Sequence, residues 1–219
     1  MNAPAWTMLA GGILLAAAGL VAWWRERRAL VAVLRGIVPS GRIRDREDLV
    51  RLKRYLGASI RWDPSQAHDL RPPLRASAAR VLATGRGFCG ENARVAVRLL
   101  RLGGVDAHRL YLEGARWGHV VVEHRWKDGW KMFDAHVDPR TSLPDELVGR
   151  IHADDLASFP NTAADNPWRS SYRIPGPGRG RRKRRPPALL TALAETPSLV
   201  AAVAGTVIAL VAAVILGAP

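Results

Sequence analysis

The chain has 219 residues, enough for one domain of ordinary size plus extra segments, and 33 Lys and Arg against 19 Asp and Glu give a formal charge of +14. Hydrophobic content is nevertheless 48%, because the apolar residues gather towards the two ends with the basic ones beside them. A single cysteine excludes an intramolecular disulfide and suits a reducing compartment.

Ala5–Trp24 carries no charge over 20 residues, the length a helix needs to span a hydrocarbon core, with Trp23-Trp24 placed for an interface. A cleavable signal peptide is the rival reading. It needs a basic leading region and a shorter apolar run, whereas Met1–Pro4 has no basic side chain. An uncleaved anchor over residues 1–24 is therefore expected. Arg25, Arg27 and Arg28 follow at once, which predicts that the chain enters the cytoplasm after Trp24.

Residues 25–75 read as the helical N-terminal part of a domain. Ala29–Val38 continues the first helix until Pro39. Asp45 opens a second one, with Asp48 three residues on as a weak capping box and Leu49, Leu52, Tyr55 and Leu56 as its apolar face. Pro64 and Pro72-Pro73 mark a loop in which His68 reads as an ordinary surface residue, and Arg75–Leu82 is expected to form a short alanine-rich helix.

Gly85–Pro139 is the informative stretch. Ala93, Val95, Ala96, Val97, Leu99, Leu100 and Leu102 alternate with Glu91, Arg94, Arg98 and Arg101 at spacings of three and four, which predicts an amphipathic helix stopped by Gly103-Gly104. Cys89 then sits at its N-terminus, where unpaired N–H groups and the helix dipole stabilise an anion, and thiolate is the nucleophilic form of cysteine. Gly87 and Gly90 flank it and allow close approach. His108–Glu113, Gly118–Trp126 and Trp130–Asp134 read as strands, with Asp128-Gly129 as a hairpin signal. In the two-residue Asp-Gly register Lys127 faces Trp130 and Asp134 lies opposite Glu123. Direct opposition of His119 and Asp134 needs a turn centred nearer Trp126-Lys127. Both registers place His119 and Asp134 on one face. A thiol, an imidazole and a carboxylate at the edges of regular elements are the parts of a nucleophile, its base and the base's orienter.

After Asp134 the pattern weakens. His136, Asp138, His152, Asp154 and Asp155 match no familiar metal spacing, so neither metal nor cofactor is expected. Residues 140–175 read as an irregular domain edge with one short helix near Asp145–Ile151. Residues 176–196 read as a flexible basic linker holding Arg179, Arg181, Arg182, Lys183, Arg184 and Arg185. Beside a second charge-free run over residues 197–219, that cluster reads as a topology determinant and a contact for anionic lipid head groups, not for nucleic acid. The two basic flanks agree on a catalytic core facing the cytoplasm, and the Ala/Arg/Leu-heavy composition suits a bacterial inner-membrane protein.

Gly-Phe-Cys-Gly-Glu-Asn-Ala at 87–93, Gly-Val-Asp-Ala at 104–107, Gly-His-Val-Val-Val-Glu at 118–123 and Trp-Lys-Met-Phe-Asp at 130–134 resemble the transglutaminase-like superfamily over roughly Ala76–Pro139. The resemblance implies an α+β, papain-like core, a catalytic helix packed on a small antiparallel sheet, here over 76–139 and flanked by transmembrane helices. It implies Cys89 as nucleophile, His119 as base and Asp134 as its orienter, with Trp62 a weak candidate for an upstream oxyanion donor beside the backbone N–H of Cys89. The function it implies is a cysteine enzyme acting on a protein, peptide or small amide substrate, by hydrolysis or transfer to an amine. Two alternatives stay open: an inactive scaffold that kept the fold, and an arylamine N-acetyltransferase-like enzyme, which the Arg86–Glu91 turn also resembles. Trp117, Trp126 and Trp130 are candidates to line a substrate pocket.

Overall fold

The computed structural model describes residues 3–66, 76–115, 118–137, 141–160, 168–173, 181–182 and 184–217. The first helix, α1, is continuous over Ala3–Ile37, so the apolar run and the basic segment behind it form one rod. Its partner, α6 (Pro197–Gly217), packs against it in antiparallel sense: a Cβ added at Gly12 would lie 2.6 Å from the backbone N of Ala209, and one added at Gly19 would lie 2.5 Å from that of Ala202. Such backbone-to-backbone approach is open only to small residues, the usual device where lipid supplies no hydrophobic drive between helices. Both helices are long and apolar enough to cross a membrane.

The lower half of α1 leaves the apolar zone and enters the core of the domain through Leu30 and Leu34, followed by Val38 just past its end. Asp45 caps α2 (Arg46–Ser59), its side chain accepting the Asp48 N–H at 2.9 Å, while Asp48 in turn accepts the Arg44 N–H at 2.9 Å. This exchange satisfies two otherwise orphaned donors. Leu49, Leu52 and Leu56 are buried beneath it. The two-residue strand β1 (Arg61–Trp62) leads on to residues beyond the described ones, where His68 falls. Ser77 then caps α3 (Ala78–Thr84), which starts three residues later than the alanine content predicts because the cap lies there. Gly85, at φ 62°, ends it in the left-handed conformation that favours glycine.

Next come β2 (Arg86–Gly87), parallel to β1, and α4 (Cys89–Leu102), which ends at Gly103-Gly104. The strands β3 (Ala107–Glu113), β4 (Gly118–Trp126) and β5 (Gly129–Phe133) form an antiparallel meander, extended beyond β3 by β6 (Arg169–Arg173) and β7 (Arg181–Arg182) in the order β5-β4-β3-β6-β7. Residues 151–153 cover the far edge of β5 through Met132 N–H to Ile151 O and Ala153 N–H to Trp130 O, so that edge is not left open for pairing. The expected short helix shrinks to one 3₁₀ turn, Asp145–Leu147.

Two expectations need correction. Neither predicted hairpin register occurs: Trp126 pairs with Gly129 and Val122 with Phe133, so the two-residue loop is Lys127-Asp128. Gly129 takes φ 136° immediately after that loop, which is where the Asp-Gly signal misplaces the turn by one residue. Among the described residues, 169–173, 181–182 and 188–195 are also more regular than a domain edge and linker. Besides β6 and β7 they contain α5 (Ala188–Glu195), whose Thr191 and Glu195 are buried against β3.

His124, on β4, is fully buried among Trp126 and Phe133 with neither ring nitrogen hydrogen-bonded. Burial, helped by the neighbouring Lys131 ammonium, pushes its pKa down to about 4. The unfolded chain takes up this proton near pH 6.5, so the stability His124 contributes is intact above that value and is lost as pH falls through 4. The loss amounts to about 3 kcal/mol. Thermal melts from pH 7 to pH 4.5 should show His124→Phe resisting acid better than the wild type. Equal acid sensitivity in the two would remove His124 as the cause.

Candidate active site

The sheet and helix register bring three predicted residues together. Cys89 occupies the first position of α4 and is buried, because β1–β2 pairing (Trp62 with Gly87) fixes the strand that feeds the helix. Gly87 sits in close quarters there: a Cβ would lie 3.1 Å from Ile60 and 3.2 Å from the Glu91 side chain, so a larger residue would need its neighbours to shift. Gly90, in contrast, faces open space. His119 stands near the start of β4. Its Nε2 lies 3.1 Å from Asp134 Oδ2, and Cys89 hydrogen-bonds the ring as well, which leaves Nδ1 for the thiol.

The observed register explains the pairing. Continued one residue past Phe133, it places Asp134 opposite Val121, on the His119 face but diagonal to it. Diagonal neighbours stand about 7–8 Å apart, within reach of a histidine ring. Asp134 is wholly buried, and its second oxygen accepts the His136 backbone N–H at 2.9 Å. Burial lowers the His119 pKa. The Asp134 charge and hydrogen bond, with those of Cys89, outweigh it and hold the imidazole at about 10. A buried carboxylate facing an imidazolium thus keeps the ring charged through neutral pH.

Trp62 lies close to the thiol turn, 6.0 Å from the Phe88 ring and edge-on to His136 at 6.1 Å. His136 is also edge-on to His119 at 5.4 Å, and its Nδ1 is 3.4 Å from Thr141 Oγ1. The rings of Phe88, Trp62, His136 and His119 therefore run in an arc that begins and ends beside Cys89. His136 was legible only as a loose metal candidate, and its place in this arc depends on a turn that no sequence period marks. Among the described residues no group of three or more His, Cys, Asp or Glu could hold a metal ion.

Other candidates lie elsewhere. Trp126 and Trp130 sit at the hairpin tip, seven residues along β4 from His119, or about 23 Å at the usual rise. They cannot line a pocket at the thiol. Trp130 instead stacks on His108 at 5.0 Å and lies under the Arg185 guanidinium at 4.7 Å. Arg185 also donates to both oxygens of the buried Glu123, at 2.8 and 2.9 Å, and Tyr172 donates to the same carboxylate. Arg184 is exposed. Trp117, Asp138, Arg179 and Lys183 fall outside the described residues, as do the side chains of Arg181 and Arg182.

Residues 38–135 match the family model for the transglutaminase-like superfamily. A search of curated proteins and one of solved structures found no match. The family match begins at the end of α1, so it takes in α2 and β1 as well as the cysteine helix and the meander. Residues 38–135 are thus similar to the transglutaminase-like superfamily, and this stretch is set between two helices that are each long and apolar enough to span a membrane.

Proposed function

We propose that the protein is a membrane-tethered cysteine enzyme that cleaves or transfers amide or ester bonds through a thioester. The observation that carries this reading is the placement of His119 between Cys89 and Asp134, with its ring held charged at neutral pH. In the proposed cycle the Cys89 proton resides on His119. The thiolate attacks the substrate carbonyl carbon, and the backbone N–H of Cys89 stabilises the oxyanion, with Trp62 as candidate second donor. Collapse breaks the bond to the leaving amine or alcohol, which takes its proton from His119, and leaves an acyl-enzyme. Water or an amine, deprotonated by His119, then attacks the thioester and returns the thiol. The resemblance of such domains to hydrolases favours water.

An inactive scaffold has no need of an imidazole kept charged in a buried site. The arylamine acyltransferase reading is weakened by Phe133-Asp134-Ala135-His136, which stands where that family has a glycine-rich run after its Asp. Both apolar helices are proposed to cross a bacterial inner membrane. Arg25, Arg27 and Arg28 on one side and the basic run before Pro186 on the other favour a cytoplasmic domain, because basic residues stay on the cytoplasmic side. The close packing of Gly12 and Gly19 on α6 favours an uncleaved anchor, since a removed leader would leave that face of α6 bare. Arg184 remains available to anionic lipid, whereas Arg185 is occupied by Glu123.

Labelling with an iodoacetamide-type probe tests reactivity and sidedness together. Cys89 should label at pH 7 in cells opened with detergent, and a membrane-impermeant form should not label it in intact cells. Cys89→Ser should abolish the signal. Labelling by the impermeant probe from outside would invert the proposed topology.

A further inference from the structure

Glu26 is the residue on which the membrane helices and the cysteine turn meet. It lies on α1 two positions past Trp24, among arginines, yet it is buried. Its Oε1 accepts the N–H of Ala78, the first residue of α3, at 3.0 Å. Its Oε2 faces the Arg98 guanidinium at 3.8 Å, in the third turn of α4. The helices α3 and α4 are the two that flank the Gly85–Phe88 turn, so one carboxylate holds the element before the thiol and the element that carries it.

The other membrane helix reaches the same face of α4. Arg98 also donates to Thr196 Oγ1, immediately before α6. One turn earlier on α4, Arg94 faces Glu195 at 3.4 Å, and Glu195 also holds Arg109 of β3 at 2.7 Å. Arg98 is nine residues after Cys89, which at 100° per residue puts it on the opposite side of the helix from the thiol. The face towards His119 and the face towards the membrane helices are therefore back to back.

We propose that Glu26 is a positioning residue for Cys89, and that the α1–α6 hairpin is through it a working part of the catalytic unit and not a tether. The inference rests on the cysteine-enzyme reading above. Its physical basis is leverage. A displacement of about 1 Å between reacting groups can cost on the order of a hundredfold in rate, and a buried carboxylate bonded to two elements resists such displacement more strongly than apolar packing, which slides. Removal of Glu26 also leaves Arg98 with less compensation in a buried setting, so the helix is expected to shift towards solvent.

The test uses the full-length protein in liposomes, with the iodoacetamide rate of Cys89 read from pH 5 to pH 9 beside a thermal melt. Glu26→Ala should lower the rate at pH 7 about tenfold and move the profile towards that of free cysteine. Glu26→Gln, which keeps an acceptor for Ala78 N–H, should recover most of it. Arg98→Met keeps the aliphatic stem and should lower the rate severalfold, so it reads the same link if Glu26→Ala aggregates. Leu49→Ala, in the core under α2, serves as the destabilised control and should lower the melt while leaving the profile within twofold. The inference is overturned by a wild-type profile in whichever of Glu26→Ala and Arg98→Met folds, or by an equal change in Leu49→Ala. A wild-type protein no more reactive at pH 7 than a free thiol would instead overturn the enzyme reading itself.

Discussion

Asp134→Asn is expected to leave the fold in place and to lower turnover by about a thousandfold or more, the scale seen when an orienting carboxylate loses its charge. Two effects combine. The Asp134 charge and its bond to Nε2 are what lift His119 above the pull of burial, so the amide lets the ring fall neutral at pH 7. The amide also offers Nε2 either a donor or an acceptor, and the ring loses the partner that fixes which nitrogen carries the proton. His119→Ala should act on the thiol directly. Loss of the imidazole that takes its proton should slow alkylation at pH 7 by about tenfold or more. Alkylation profiles of both variants, which need no known substrate, are the measurement. Unchanged profiles would return Cys89 to the status of a small core residue.

The raised His119 pKa also has a stability consequence of opposite sign to that of His124. A base whose pKa is raised on folding stabilises fully below its unfolded value, near 6.5, and this contribution is lost as pH rises through about 10. Stability should therefore fall off on both sides of neutrality, with His124 governing the acid limb and His119 the alkaline one.

Gly12→Leu is expected to destabilise the folded protein by about 3 kcal/mol or more, towards the upper end of overpacking costs. The added Cβ would meet the backbone N of Ala209 at 2.6 Å and the carbonyl O of Gly205 at 2.8 Å, and backbone atoms cannot swing aside as a side chain can. The helices must separate, taking Glu26 and Thr196 with them. Gly11 supplies the matched control, because a Cβ there meets nothing within 4 Å. Gly11→Leu should melt within about 0.5 kcal/mol of the wild type, as surface substitutions do. Melts in detergent compare the two, and coincident transitions would show that the α1–α6 contact contributes nothing.

Much of the site could be read from the sequence because each part is announced locally. The Cys89 helix has a clean period of three and four with a double-glycine stop, and His119 opens a valine-rich alternation. The apolar runs at 5–24 and 197–217 lack any charge. What escaped was non-local. The hairpin signal was right in kind, but Gly129 took the positive φ as the first strand residue instead of the second loop residue, and only hydrogen-bond pairing decides between these. Arg169–Arg173 is a strand whose Ser170, Ser171 and flanking arginines carry no apolar alternation, so its pairing with β3 is what identifies it. Glu26, Arg94 and Glu195 look like solvated charges in a basic chain. Their burial is a property of three helices meeting, and no single segment encodes it.

The order in which α1 and α6 are made carries a consequence for biosynthesis. The whole domain is translated between them, which at about 5–20 residues per second takes on the order of ten to thirty seconds. During that interval the glycine-lined side of α1 lacks the helix it packs on, and Arg94 and Arg109 await the carboxylate of Glu195. The thiol, the imidazole and Asp134 are all synthesised before α5 and α6; Glu195 and Thr196, at the junction of those two helices, complete the contacts of Arg94 and Arg98 on the helix that carries Cys89. On the proposed reading, the nascent chain would hold all three groups before the contacts that position the cysteine helix are complete.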